Sequence, residues 1–505
     1  MALETLTTTN EQDRIVKSKV PITPTLEKLL NPNLHKKEPI FTSPLKKPKE
    51  GEKVYDLSPE QIKAIQELRG AVVDLHPGMG GVVPSKLIQM IEDGIPVTSL
   101  DFMMTKGCNF ECTWCYAGSS PFATEFLPFN KLESITQEAA DIGVSLFILT
   151  GGEPLTYKDP ALGKVNHRGE HFFKVVEMIK NTYERQGKEA KILTFDDVAL
   201  INERIAEQFA HYKIGLCTKG DTLHPELQDY KVNQVGAFKK MEKGNENLIK
   251  VGYGKNPDLR NVVNSVFDHT TFDGMPDLHM LVKERGFDHS IVPIHFCGNA
   301  GDEDQEAGIH SPHVKVLYDL LSKVDEKYFD EHWEPWSAFT YNKTCNRNLS
   351  GLHIRANGDV TSCSESPGRD ETDRYTFGNI FTDENFSLEE LAFSNRLANY
   401  RTEFAEGSGT YVCAPDICDL NANDLCRGGC AVRSAYSGIN YETGLIEEGT
   451  DVHNYSTHRE DPLCPAWTKL ALTQGILKEG LLSAIHERLL EKSEKLDIKD
   501  FPNPY

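Results

Sequence analysis

Long apolar runs are missing from this 505-residue sequence. No stretch approaches the ~20 consecutive apolar residues that a membrane-spanning helix requires, so no membrane partner is expected. Positive charge is scarce too: 54 Lys and Arg face 76 Asp and Glu, a formal net charge of −22. A nucleic-acid partner needs a basic surface to neutralise phosphates, and this balance argues against one. The opening residues, Met1 to Asn10, are too polar for a secretory signal, so a cytoplasmic location is the expectation. Scattered cysteines are few. Of the twelve, ten fall into groups at 108–115 and 345–464, and only Cys217 and Cys297 stand apart. In a large chain with no export signal, such grouping points to metal ligands rather than disulfides.

What is present begins with Cys108-Asn-Phe-Glu-Cys112-Thr-Trp-Cys115, followed by Tyr116. Iron–sulfur clusters are held by cysteine thiolates. Three cysteines on one loop can cap three irons of a four-iron cluster and leave the fourth open to an external ligand. The alternative is a zinc knuckle, but structural zinc sites are closed by four ligands, usually in paired short spacings. No fourth Cys or His lies near this loop.

The surrounding chain divides by pattern. Residues 1–52 are polar and rich in Thr, Pro and Lys, the composition of a disordered or loosely attached arm. Residues 53–96 carry two capped helical patterns. In the first, over 57–70, Ser58 serves as N-cap, Pro59 opens the first turn and Gln61 follows three residues on. From 97 to 335, short apolar runs alternate with helical patterns. The strands are expected at 97–102, 146–150, 191–195, 213–218, 261–266 and 290–296, with helices at 128–142, 172–186, 200–210 and 276–284 among them. Strand–helix alternation predicts a parallel sheet with helices outside it. Past about 340 the rhythm stops. Residues 336–470 hold seven cysteines and a hairpin whose turn is Asn357-Gly358. Residues 471–505 read as an amphipathic helix and tail.

Cys108-x3-Cys112-x2-Cys115, with Trp114 before the last cysteine, resembles the cluster loop of the radical S-adenosylmethionine (SAM) superfamily. The turn Thr150-Gly151-Gly152-Glu153-Pro154, one β/α unit later, resembles that superfamily's SAM-amino-group motif. The resemblance implies an α/β fold: a partial (β/α)6 TIM-like barrel followed by a small cysteine-rich α+β cluster-binding domain. It also implies a [4Fe–4S] cluster on Cys108, Cys112 and Cys115. Its open iron would bind the amino and carboxyl groups of SAM, and Gly151, Gly152, Glu153 and Pro154 would hold the methionine part. Trp114 would pack near adenine. Thr218 and Asn264, at later strand ends, would reach ribose or carboxylate. One electron from the reduced cluster would then cleave SAM to methionine and a 5′-deoxyadenosyl radical, which abstracts a substrate hydrogen.

The later cysteines, Cys345, Cys363, Cys413, Cys418, Cys426, Cys430 and Cys464, are similar in order to the SPASM extension of these enzymes. That likeness implies two auxiliary [4Fe–4S] clusters. The nearer would use Cys345, Cys363 and Cys430; the farther would use Cys413, Cys418, Cys426 and Cys464. The nearer lacks an evident fourth ligand, since Phe339 stands where many relatives have one. Either Cys297 supplies it or one iron is open. Zinc ribbons are the alternative for the whole group. Cys217 and Cys297 are also candidate hydrogen donors to a substrate radical; the plainer reading for each is a buried thiol.

The leading functional expectation is a peptide or protein maturase supplied by an electron donor such as flavodoxin or ferredoxin. The alternative is a small-molecule dehydrogenase or epimerase acting on a sugar or aminocyclitol. A third reading, a scaffold using its clusters only as electron carriers, conflicts with the turn at 151–154.

Overall fold

The computed structural model describes residues 19–30, 58–63, 97–294, 298–302, 311–332, 351–366, 375–406, 418–423, 473–475 and 479–501. The first helix, α1 (Pro24–Leu30), lies within the polar arm and is not loose. Leu26 is fully buried against Leu227, Val20 joins the same cluster, and Thr23 Oγ1 donates to Glu226 Oε2 at 2.5 Å. Tertiary contact overrides the arm's polar composition there. Ser58 and Gln61 form the expected reciprocal cap: Ser58 N donates to Gln61 Oε1 at 2.9 Å and Gln61 N to Ser58 Oγ at 3.2 Å.

The barrel runs β1 (Ser99–Met103), α2 (Phe129–Asp141), β2 (Leu146–Thr150), α3 (Glu170–Arg185), β3 (Lys191–Asp196), α4 (Glu203–His211) and β4 (Gly215–Lys219). It continues through α5 (Pro225–Lys231), α6 (Ala237–Lys250), β5 (Asn261–Phe267), α7 (Met275–Glu284), β6 (Asp288–Pro293) and α8 (Ser311–Phe329). All six strands are parallel to their neighbours. Expected and observed strands agree within two or three residues at each end. These are apolar runs bounded by polar turns, the pattern of strands covered on both faces. The helices dock by one apolar stripe. α3 buries Phe172, Phe173, Val175, Val176, Ile179 and Tyr183, each large side chain contributing ~1.5–3 kcal/mol of burial. α4 starts where Asn202 Oδ1 accepts the Ile205 N–H at 3.0 Å. No helix among the described residues is long and apolar enough to cross a membrane.

The expected hairpin forms as β7 (Gly351–Ile354) and β8 (Asp359–Thr361), with Gly358 at φ +90° in its turn. Its position was not legible in the sequence. β7 pairs in parallel with β1, and β9 (Thr376–Asn379) extends the meander, giving a nine-stranded sheet in the order β6-β5-β4-β3-β2-β1-β7-β8-β9. A polar stitch crosses β2, β1 and β7 inside the sheet. Thr150 Oγ1 donates to Asp101 Oδ1 at 2.7 Å, and His353 Nδ1 lies 3.1 Å from Asp101 Oδ2, a polar contact outside hydrogen-bond angles. The later elements are α9 (Leu388–Ala392), α10 (Asn395–Glu406), α11 (Asp419–Ala422) and α12 (Glu479–Lys495). Residues 388–406 therefore form two helices, broken at Phe393-Ser394. Glu138 on α2 caps the first: its Oε2 accepts the Leu388 N–H at 2.7 Å and the Ser387 hydroxyl at 3.0 Å. This places a carboxylate at a helix N-terminus, where the backbone dipole favours negative charge.

One buried ion pair braces the barrel beneath the cysteine loop. Lys231 Nζ lies 2.6 Å from Asp268 Oδ2, with side chains 4% and 14% exposed. Burial works to raise the Asp268 carboxyl, but Lys231, His269 and the Thr270 hydroxyl hold it well below the usual carboxylate range. A depressed carboxyl contributes stability above its unfolded pKa of ~3.9, and that contribution is lost as pH falls towards the folded value. Lys231→Met should cost ~3–5 kcal/mol at neutral pH by stranding a buried charge. Urea unfolding of both proteins should show the gap narrowing as the pH is lowered below ~4.

Candidate active site

The cysteine loop follows β1, and the turn after β2 lies directly against it. Gly152 N donates to Thr105 O at 2.7 Å and Glu153 N to Gly107 O at 2.9 Å. A Cβ on Gly151 would stand 2.4 Å from Thr105 O, and one on Gly152 would stand 2.3 Å from Gly107 O. These glycines are required by backbone approach to the cysteine loop. Glu153 is likewise committed inward. It is fully buried, and its carboxylate accepts Leu155 N and Asp197 N, each at 2.9 Å. Pro154 opens a short 3-10 turn, where its missing N–H costs nothing.

On its other sides the loop is held by α5 and by the segment after β6. Glu111 N donates to Val232 O at 3.3 Å and Thr113 N to Lys231 O at 3.1 Å. The arm reaches here too, with Lys19 Nζ 2.6 Å from Glu111 Oε2. Asn299 Nδ2 donates to Cys112 O at 2.8 Å, and Asn299 N to Cys115 O at 2.9 Å. Gly298, at φ +59°, allows this approach, because its Cβ would fall 2.3 Å from Cys115 O.

Cys108, Cys112 and Cys115 are free thiols brought together on this loop. Phe110 N donates to Cys108 Sγ at 3.3 Å and Ser119 N to Cys115 Sγ at 3.4 Å. Cys108 and Cys112 pack against Phe110, Val232, Ala237 and Met241. Burial pushes the Cys108 thiol well up, and nearby Asp197, Cys112 and Glu153 add to it; burial takes Cys112 to about 12. Burial thus favours the protonated thiol at Cys108 and Cys112. Metal coordination reverses that by stabilising the thiolates. N–H groups aimed at sulfur fit the same role.

Beside Cys108 lies a buried carboxylate cluster, Glu153, Asp196 and Asp197, with ligand oxygens within 4.8 Å of one another. Burial and the neighbouring carboxylates push Glu153 well up and Asp197 to about 8; burial takes Asp196 to about 6. Asn109 Oδ1, Asp196 Oδ2 and Asp197 Oδ2 have no hydrogen-bond partner among the described residues. Orphaned buried acceptors fit a ligand bearing positive charge and N–H donors, and SAM carries a sulfonium and an ammonium. Of this cluster sequence reasoning named Glu153 and missed Asp196 and Asp197, although that pair ends a strand, where barrel chemistry resides.

The strand-end residues divide by face, because strand side chains alternate. Cys217 packs with Leu146, Ile148, Leu193 and Phe195 on the inner face, while Leu216 joins the core under the helices. Lys219 shares the inner face with Cys217; Thr218 does not. Thr218 is fully buried and donates to Asn261 Oδ1 at 3.0 Å, so its side chain turns away from the site. Asn264, expected at a strand end, is the middle residue of β5; it pairs in register with Lys219 and accepts from Ser290 Oγ at 3.0 Å. The Trp114 ring carries the Lys219 ammonium at 3.1 Å from its centroid. Cys363 is half-buried after β8 and Cys418 is buried beside α11. Cys297, Cys345, Cys413, Cys426, Cys430 and Cys464 lie outside the described residues. Gly152→Ala should force the turn off the loop. It is expected to destabilise the chain by ~1–3 kcal/mol and to lower iron retained after anaerobic reconstitution, read by iron analysis. Gly163→Ala is the comparison: its Cβ meets nothing within 4 Å, so only its left-handed φ of +88° is strained, and iron retention should not change.

Residues 102–270 match the Radical SAM superfamily. The fold is similar to native anSMEcpe with bound AdoMet (TM-score 0.51, 15% identity, 77% of this chain and 99% of that one). It is also similar to anSMEcpe with bound AdoMet and Cp18Cys peptide (0.50, 16%, 77% and 99%). In sequence, a GTP 3′,8-cyclase of Rhizobium etli is 27% identical over 218 residues, 42% of this chain and 56% of that protein. A probable GTP 3′,8-cyclase of Pyrococcus horikoshii is 36% identical over 66 residues, 13% of this chain and 21% of that protein. The chain thus spans between about a fifth and somewhat over half the length of these relatives. The parallel sheet, the three-cysteine loop and this match agree: the chain carries a radical SAM superfamily domain, over residues 102–270.

Proposed function

We propose that this chain is a radical SAM enzyme acting on a peptide or protein side chain. The observation that carries the SAM reading is the buried group of unpartnered acceptors, Asn109, Asp196 and Asp197, set beside a three-cysteine loop. Cys108, Cys112 and Cys115 would hold a [4Fe–4S] cluster. When bound with SAM, that cluster supplies the electron that generates a 5′-deoxyadenosyl radical. Gly151, Gly152, Glu153 and Pro154 would border the amino-acid end of SAM. Their own polar groups fix the turn, while Asp197 and Asp196 complement positive charge. Trp114 and Asn264 would line the adjoining mouth. Leu146, Ile148, Leu193 and Phe195 exclude water beneath it, which keeps a reactive intermediate from solvent.

Cys345, Cys363 and Cys430, and Cys413, Cys418, Cys426 and Cys464, would hold two auxiliary clusters that accept the electron left after C–H oxidation. A flavodoxin or ferredoxin would supply the first electron. Support for a peptide substrate comes from the similar fold of anSMEcpe, which holds a Cp18Cys peptide. The small-molecule reading, an epimerase, draws on Cys217, whose side chain faces the inner side of the sheet as a hydrogen donor must.

Cys112→Ala should lower 5′-deoxyadenosine formation from SAM by ~100-fold or more, beyond what loss of an outer-shell partner costs. Chromatography of the reduced, reconstituted protein measures it, and undiminished product would sink the radical mechanism. Running the substrate reaction in D2O tests Cys217 as a hydrogen donor: solvent deuterium in the product, lost in Cys217→Ala, supports that role, and a product without solvent deuterium counts against it.

A further inference from the structure

Three sulfurs on the cysteine loop receive unequal support. Backbone N–H groups point at Cys108 and Cys115. Cys112 has no such donor among the described residues and sits in an apolar cluster with Phe110, Val232, Ala237 and Met241. What stands near it is a cation. Lys219 ends β4 on the inner face, with its side chain 14% exposed. Its ammonium lies over the ring of Trp114, two residues beyond Cys112, at 3.1 Å from the centroid. It also lies 3.0 Å from Asp221 Oδ2, whose side chain is fully buried. The angles of that contact are not those of a hydrogen bond, so the ammonium keeps no hydrogen-bond partner among the described residues. Its field opposes the effect of burial at Cys112.

A buried ammonium held by an aromatic face and one carboxylate is costly unless it serves neighbouring negative charge. Asp221 is not free to be its whole complement, because Asp221 Oδ1 also accepts Val266 N at 3.0 Å. The other acidic group within its field is Asp197 of the buried cluster, and the loop itself adds negative charge once its thiolates hold iron.

We propose that Lys219 is the electrostatic counterweight of the cysteine loop and sets how readily a cluster held there accepts an electron. This rests on the reading of Cys108, Cys112 and Cys115 as cluster ligands. Cluster potentials follow net charge, hydrogen bonds to sulfur and solvent exposure, and a fixed cation in a low-dielectric wall favours the more negative, reduced state. Lys219 acts on a single-electron transfer: an external one-electron donor loses the electron that the bound cluster gains, and no covalent bond of the chain changes. Lys219 is thus a positioning residue for charge. Trp114 is its seat, and Asp221 is the weight that trims it.

The test is a redox titration of the anaerobically reconstituted full chain, with the reduced state followed by electron paramagnetic resonance and iron counted in every sample. Lys219→Met keeps an apolar contact on Trp114 and removes the charge; the midpoint should shift to lower potential. Lys219→Arg, which also stacks on aromatic faces, should restore most of it. Asp221→Asn removes the opposing charge and should shift the midpoint upward. A purely structural role would lower iron content in both families of variants without opposite shifts. An unmoved midpoint in Lys219→Met, or shifts of one sign in Lys219→Met and Asp221→Asn, overturns the proposal. Should Lys219→Met fail to hold iron, Asp221→Asn decides alone: a midpoint unmoved or lowered there overturns it. If the unaltered chain holds no iron at all, the cluster reading falls, and this inference with it. If it holds iron and the midpoints do not respond, only the inference falls.

Discussion

Two backbone hydrogen bonds, Gly152 N to Thr105 O and Glu153 N to Gly107 O, fix everything around the site. They draw the turn after β2 against the start of the cysteine loop so tightly that no side chain fits between them. Glu153 then reaches sideways to the Asp197 N–H, tying the turn after β3 to the same assembly. Three consecutive strand ends are thereby locked into one rigid rim. Cys108 and the buried acids take their places from that rim, and from the other side the contacts of Asn299 and Lys231 close on Cys112, Thr113 and Cys115. A site built this way is organised by main chain, which tolerates fewer alternatives than side-chain contact does.

Much of the barrel was legible because its strands are short apolar runs with turn residues at both ends, a pattern that survives without tertiary information. The three-cysteine loop was legible because spacing alone limits what it can hold. Facing was harder to read. Thr218 and Cys217 are neighbours, yet one turns into the helix layer and the other into the barrel. Packing of Leu216 under the helices would have given the parity, but a single sequence does not say which alternate set is inside. Lys219 was overlooked for the same reason. The glycine pair has a structural requirement that spacing does not announce, the close approach of the cysteine-loop backbone. A turn that must let a ligand in and a turn that must let a backbone in use the same residue.

Tertiary contacts also revised the chain's edges. The polar arm has too little apolar surface to order by itself, and it orders over 19–30 because α5 presents Leu227 and Tyr230 to Val20 and Leu26. The later hairpin looked like the start of an independent unit. Its first strand instead completes the barrel's sheet beside β1, and Glu138 on α2 accepts the Leu388 N–H, adding to the cap that Ser387 gives α9.

The pairing of β7 with β1 has a consequence for how the molecule is made. Ser99 and Gly351 lie side by side in the sheet but far apart along the chain. Strand β1, which leads straight into the cysteine loop, emerges from the ribosome early and keeps one open edge until the hairpin has been synthesised. At typical rates of ~5–20 residues per second, that interval is many seconds, during which an unpaired strand edge is a template for mispairing. Closing so long a loop also slows folding, since its entropy must be lost before the contact forms. The edge that the hairpin covers is therefore a timing element: the strand carrying the cysteine loop is finished last among the barrel's pairings, after most of the chain exists to surround it.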